Sequence, residues 1–162
     1  MTFACSVTWR GARAEDEEFA FGVLKEAMQE YAVATWGTWW EEQSRRETAE
    51  QVHAGRTDII EFNSVPIGIQ LVERAKTHIQ LEQLYIAKAF QRRGFGTELL
   101  QRLIAEGRES KLPIRLRVLA VNPARALYER LIAPAWTGPR RVEQERIPLH
   151  VALGQVYRLT RD

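Results

Sequence analysis

Cysteine is almost missing from this sequence: Cys5 stands alone among 162 residues. One thiol closes no internal disulfide, so the fold must hold by burial and hydrogen bonding, as suits a reducing compartment. Cys5 lies far from every motif and is expected in the core. Histidine is scarce too. His53, His78 and His150 are dispersed without ligand spacing, so no metal is expected. Lysine occurs only at Lys25, Lys76, Lys88 and Lys111, and arginine supplies the other positive charges. No apolar run approaches the roughly 20 residues that span a bilayer, and the N-terminus lacks a signal-peptide pattern. A cytoplasmic protein with no membrane partner is expected. A formal charge of +2 gives no reason to expect nucleic acid.

What is present suits one globular domain, residues 1–162, with no repeat, low-complexity segment or linker. Residues 3–10 alternate with Phe3, Cys5, Val7 and Trp9 on one side, a candidate strand. Glu15, Asp16, Glu17 and Glu18 place acids in the first turn of a helix carrying Phe21, Leu24, Ala27, Met28 and Tyr31 on one stripe. Trp36, Gly37, Thr38, Trp39 and Trp40 interrupt it, and a polar helix is expected over Glu41–His53. Strands follow at Asp58–Phe62 and 67–74, joined by a turn at Asn63, Ser64, Val65 and Pro66. A third strand spans 78–86. Strict alternation puts Ile79, Leu81, Gln83 and Tyr85 on one face and Gln80, Glu82, Leu84 and Ile86 on the other.

The next stretch organises the chain. Leu99, Leu100, Leu103 and Ile104 recur at helical spacing, with Glu98, Gln101, Arg102 and Glu106 on the other side. The helix is entered through Gln91-Arg92-Arg93-Gly94-Phe95-Gly96. Free N–H groups and the positive end of the helix dipole meet there, a setting for phosphate or pyrophosphate. A Walker loop needs Lys-Ser/Thr after its second glycine, where Thr97-Glu98 stands. A dinucleotide fingerprint needs a third glycine where Leu99 stands. Beyond Pro113 a strand over 114–120 completes a crossover, so the strands flanking this helix should be parallel. Asn122 and Pro123 then read as cap and first residue of another helix. Closing strands are expected over 146–153 and 155–159.

The glycine loop resembles the Gln/Arg-x-x-Gly-x-Gly/Ala signature of the GNAT superfamily, acetyl-CoA-dependent N-acetyltransferases. Asn122-Pro123-Ala124-Arg125-Ala126-Leu127-Tyr128 is similar to that family's Asn-x-x-Ala-x-x-Leu-Tyr segment, in the right order. The resemblance runs from about residue 15 to the C-terminus. It departs from the family pattern after Leu131, where Ile132-Ala133-Pro134-Ala135-Trp136 replaces Gly-Phe. It implies an α/β fold with a mixed, mostly antiparallel sheet and a parallel pair that splays apart to admit the coenzyme. It also implies a coenzyme A site at Gln91, Arg92, Arg93, Gly94, Phe95, Gly96 and Thr97, at the backbone of Leu84, Tyr85 and Ile86, and at Asn122, Ala124, Arg125 and Tyr128.

The implied reaction moves acetyl directly from acetyl-CoA to a primary amine of a small molecule or protein, in a monomer or homodimer. The amine must lose a proton. Glu82 is the candidate base, read otherwise as a solvent-facing or arginine-paired side chain. Tyr128 is the candidate acid, read otherwise as a core residue. Gln80 can orient a water, and Trp36, Trp39 and Trp40 occupy the segment that shapes the acceptor pocket in the family. Glu41, Glu42, Glu47 and Glu50 read more simply as a solvated helix face than as a lure for cations. A catalytically silent acyl-CoA-binding module is the alternative. An RNA-acetylating enzyme would need an arginine-rich face, whereas Arg115 and Arg117 read as a half-exposed strand.

Overall fold

The computed structural model describes residues 6–119, 122–132 and 156–160. Its first half comprises β1 (Thr8–Gly11), a 3-10 turn (Ala14–Asp16), α1 (Glu17–Trp36), α2 (Glu41–His53), β2 (Asp58–Phe62) and β3 (Val65–Arg74). There follow β4 (Ile79–Ile86), a second 3-10 turn (Lys88–Phe90), α3 (Phe95–Ser110), β5 (Ile114–Leu119), α4 (Ala124–Ile132) and β6 (Val156–Thr160). The six strands form one sheet in chain order. Every neighbouring pair is antiparallel except β4 and β5, which are parallel because α3 carries the chain back across the sheet.

Helices cover both faces. On one, Leu100, Leu103 and Ile104 of α3 and Tyr128 of α4 pack on Ile79, Leu81, Ile114 and Leu116. Beside them Phe95 and Leu99 meet Val7, Ile60 and Ile67, and the Phe95 ring lies 4.8 Å from that of Phe62. On the other face Ala20 and Val23 of α1 and Val52 of α2 pack on Ile59 and Ile69. Leu100, with no exposed surface, stands for such positions; burying a leucine stabilises by about 1.5–3 kcal/mol.

The described part of β1 is shorter than the alternation suggested, and Phe3 and Cys5 lie outside the described residues. Val7 is buried whereas Trp9 is 41 % exposed, with Arg102 stacked over its ring. Of the acids before α1, Asp16 does more than meet a dipole. It accepts from Arg10 Nη1 and Nη2 at 2.7 and 3.0 Å and from the Arg13 amide at 2.7 Å, and the Arg10 guanidinium holds its carboxyl below the usual range. This ties β1 to the start of α1.

The β2–β3 turn is tighter than four residues. Asn63 and Ser64 take φ of 51° and 64°, the left-handed pair of a two-residue hairpin, and Phe62 faces Val65 across it. Pro66 therefore sits within β3, next to a bulge at Ile67 where the register with β2 slips.

A second bulge corrects the expected faces of β4. Leu81 faces Val72 and Gln83 faces Leu71, so Glu82 is the extra residue. An extra residue resets the two-residue period. Leu84 consequently packs with Ile79 and Leu81 on the α3 side, while Tyr85 packs on the α1 side and Gln83 donates to Gln51 of α2 at 3.3 Å. β6 overlaps the last expected strand; 146–153 and the departure beyond Ile132 lie outside the described residues.

Candidate active site

Two motifs meet at one end of the parallel pair. Ahead of α3, Arg92 and Gly94 take φ of 61° and 84°, turning the chain abruptly into the helix. Glycine accepts that conformation without the cost a side chain incurs. Gly96 has ordinary helical backbone; a Cβ there would meet only Leu127 Cδ2 at 3.8 Å. The need for a left-handed conformation therefore rests on Gly94. The small residue at 96 is where the first turn of α3 approaches α4.

No side chain caps Gly94, and the first helical bond runs from the Glu98 amide to Gly94 O at 3.0 Å. The amides of Phe95, Gly96 and Thr97 thus precede the helical ladder. The flanking residues build the loop: Gln91 Nε2 donates to Ile86 O at 2.9 Å, and Arg93 lies over the Phe90 ring. Phe95 is an anchor in the core through its ring. Arg92 is exposed and has no partner among the described residues.

The strands part beside this loop. β4 and β5 pair only through Ile79 with Ile114, Gln80 with Arg115, and Leu81 with Leu116. Beyond that rung β4 continues on β3, up to Gly68 opposite Ile86. β5 continues on β6, up to Leu119 opposite Val156. The facing edges of residues 82–86 and 117–119 are unpaired with each other, and such edges need other partners for their N–H and C=O groups. Gly68 holds this geometry: a Cβ there would lie 2.3 Å from Tyr85 O, so β3 and β4 approach this closely only with glycine.

Side chains converge at the opening. Tyr128 is 7 % exposed, and burial pushes its phenol up to about 12. Its hydroxyl makes no hydrogen bond to any described residue, and its ring is packed in the core. The Tyr85 phenol is raised by burial first, then by the charges of Tyr128 and Glu82. Glu82 is exposed at the bulge and has no hydrogen-bond or ion-pair partner among the described residues. Of its simpler reading, the solvent-facing half holds and the arginine pairing does not. Tyr85, named from sequence only for its backbone, thus has a side chain within electrostatic reach of Tyr128 and Glu82.

Asn122 Oδ1 accepts from the Ala124 amide at 2.9 Å, so its oxygen is occupied as the cap of α4, and Arg125 bonds Glu129. Gln80 lies on the face of the sheet opposite α3, since its neighbours Ile79 and Leu81 both face that helix. The tryptophans form a separate group. Trp36 and Trp40 have centroids 6.0 Å apart, and Trp39 Nε1 donates to Glu41 Oε2 at 2.8 Å. None of the three joins the clusters packed on the sheet. Glu41 is held below the usual carboxyl range by Lys25 and then by Trp39, Glu47 accepts from Gln43, and Glu42 and Glu50 are solvated. Among the described residues no group of three His, Cys, Asp or Glu is arranged to hold a metal, and no helix is long and apolar enough to cross a membrane.

A family model described as Acetyltransferase (GNAT) family matches residues 23–132, more than half of the chain. The chain belongs to the GNAT family of acetyltransferases. Among solved structures it is similar to the PaiA N-acetyltransferase from Thermoplasma acidophilum in complex with coenzyme A, at 16% identity and a TM-score of 0.65, covering 97% of this chain and 99% of that one. It is also similar to the ribosomal-protein-S18-alanine N-acetyltransferase from Escherichia coli, at 19% identity and a TM-score of 0.62, covering 96% and 93%. An acetyltransferase from Thermus thermophilus has 17% identity and a TM-score of 0.64, covering 96% and 97%. No curated protein matches the chain in sequence.

Proposed function

We propose that this acetyltransferase moves acetyl from acetyl-CoA directly to a primary amine at the opening between β4 and β5. The observation that carries the reading is the end of β4–β5 pairing at Leu81 and Leu116, next to an uncapped helix start. The residues fit the coenzyme. Amides of Phe95, Gly96 and Thr97 suit its pyrophosphate, and Arg92 adds charge beside them. The open edge of β4 at Leu84, Tyr85 and Ile86 suits the amide-bearing arm, and a β4 amide there suits the carbonyl oxygen as charge builds on it.

In this reading the amine nitrogen forms a C–N bond to the acetyl carbon as the C–S bond breaks. Glu82, directly or through a water held by Gln80, takes the amine's proton and passes it to solvent, and the sulfur leaves as a thiolate that takes a proton from solvent. Tyr128 supplies its O–H to that sulfur. A phenol at about 12 facing a thiol near 8.5 is the weaker acid by about 3.5 units, or ~5 kcal/mol. Tyr128 therefore stabilises the departing sulfur chiefly as a hydrogen-bond donor. Trp36, Trp39 and Trp40, with Trp40 38 % exposed, are assigned to the acceptor side.

Calorimetric titration with acetyl-CoA, followed by thiol release with a panel of primary amines, tests the reading. Binding with amine-dependent thiol release is expected. Binding without turnover on any amine would replace it by a silent coenzyme-binding module, and no binding would remove the site altogether.

A further inference from the structure

The described arginines that are half-buried are Arg10, Arg45, Arg102, Arg115 and Arg125. Four of them have a carboxylate: Arg10 has Asp16 and Glu61, Arg45 has Glu18, Arg102 has Glu98 and Arg125 has Glu129. Arg115 has none among the described residues, and its Nε is buried with no hydrogen-bond partner. An N–H withdrawn from water without an acceptor is costly, so the Arg115 Nε has a hydrogen bond left to make.

The place matters as much as the charge. Arg115 is paired with Gln80 one rung before β4 and β5 separate. Ile114 and Leu116 face α3 and α4, so Arg115, between them, faces the other side of the sheet, with Gln80, Gln83 and Tyr85. On the α3 side the Tyr128 cluster packs on Ile79, Leu81, Ile114 and Leu116, with Leu84 of the opening against it. An amine approaching Glu82 therefore arrives on the face that carries Arg115.

We propose that Arg115 selects acceptors bearing a carboxylate beside the amine that is acetylated, its planar fork matching the two oxygens. The inference rests on the acetyl-transfer reading above. The carboxylate has two sources, the α-carboxylate of a free amino acid or an acidic side chain next to a peptide's amine, and matched pairs separate them. Lysine against cadaverine tests the first; the dipeptide amides Ala-Glu-NH2 against Ala-Gln-NH2 test the second.

In wild-type protein at least one pair should favour its carboxylate member by about 10–100-fold in kcat/KM, the range for a hydrogen bond to a charged group. The preference should lie in KM. Arg115→Gln should bring the ratio towards one, and Arg115→Lys should keep part of it; melting temperatures show whether each variant folds. Equal rates within both pairs, no turnover of either carboxylate member, or an Arg115→Gln effect equal for both members would overturn the proposal. So would an effect on melting temperature alone, which would make Arg115 a structural residue. Calorimetric acetyl-CoA binding by the wild type keeps the two claims apart. If the coenzyme binds and the ratios are flat, only the carboxylate proposal falls; if it does not bind, the parent reading falls with it.

Discussion

At the base of the parallel pair, Ile79, Gln80 and Leu81 meet Ile114, Arg115 and Leu116 rung for rung, with α3 packed over the apolar members. A few residues further along the same strands the pairing is gone, the edges face each other unbonded, and Glu82, Tyr85 and Tyr128 gather there. The base is closed by burial, where each leucine or isoleucine removes apolar surface from water. The opening is held by backbone devices: the bulge at Glu82, the close approach at Gly68 and the left-handed Gly94. Substitutions of the apolar residues at the base should therefore act on stability, and those at the opening on binding and rate.

The largest expected effect tests the base. Leu100→Ala should cost about 2–5 kcal/mol of unfolding free energy, read by denaturant titration, with the acetyl-CoA affinity of the folded protein unchanged. A comparable loss of affinity would mean that the two ends are not separable.

Next comes Tyr128→Phe, which keeps the ring and removes the hydroxyl. Because the phenol acts as a donor to a leaving group already near 8.5, kcat should fall by about 100-fold, or roughly 2.7 kcal/mol of barrier. KM for acetyl-CoA and the melting temperature should hold. A wild-type rate in a variant whose chemistry limits turnover would leave Tyr128 as packing alone.

Gly68→Ala should break the comparison, because it touches both properties. The added carbon would sit 2.3 Å from Tyr85 O, so β3 must shift against β4. A loss of about 1–3 kcal/mol of stability is expected, accompanied by weaker acetyl-CoA binding. Stability loss with intact affinity would separate Gly68 from the site.

The smallest effect is one of pH. The Tyr128 phenol is raised from about 10 unfolded to about 12 folded. Below pH 10 it is neutral in both states and adds no slope. Above pH 10 the unfolded state ionises first, binds fewer protons than the folded one, and stability falls. At pH 11 the wild type should have lost about 1.4 kcal/mol that Tyr128→Phe does not lose, as chemical denaturation across pH would read.

Much of this arrangement was legible in the chain. The helix over Glu41–His53 and the strand at Asp58–Phe62 have the bounds that the sequence suggested, and the glycine loop and the Asn122 cap carry local signals that tertiary contacts do not override. The faces of β4 were not legible, because alternation counts residues and cannot see an insertion. One bulge moves Leu84 to the α3 side and Tyr85 to the α1 side. Gly68 gave a hint, a lone glycine inside a strand, but the carbonyl approaching it comes from another strand. Arg115 was read as a half-exposed strand residue, and only the pairing of the other half-buried arginines sets it apart.

The central claim is that the opening and the start of α3 together hold acetyl-CoA while the base of the pair does not. Hydrogen exchange with and without acetyl-CoA tests it, since each segment reports its own protection. Slower exchange is expected at residues 82–86 and at Phe95, Gly96 and Thr97, with little change at Ile79, Gln80 and Leu81. If calorimetry shows the coenzyme bound while those segments exchange as fast as before, the site lies elsewhere.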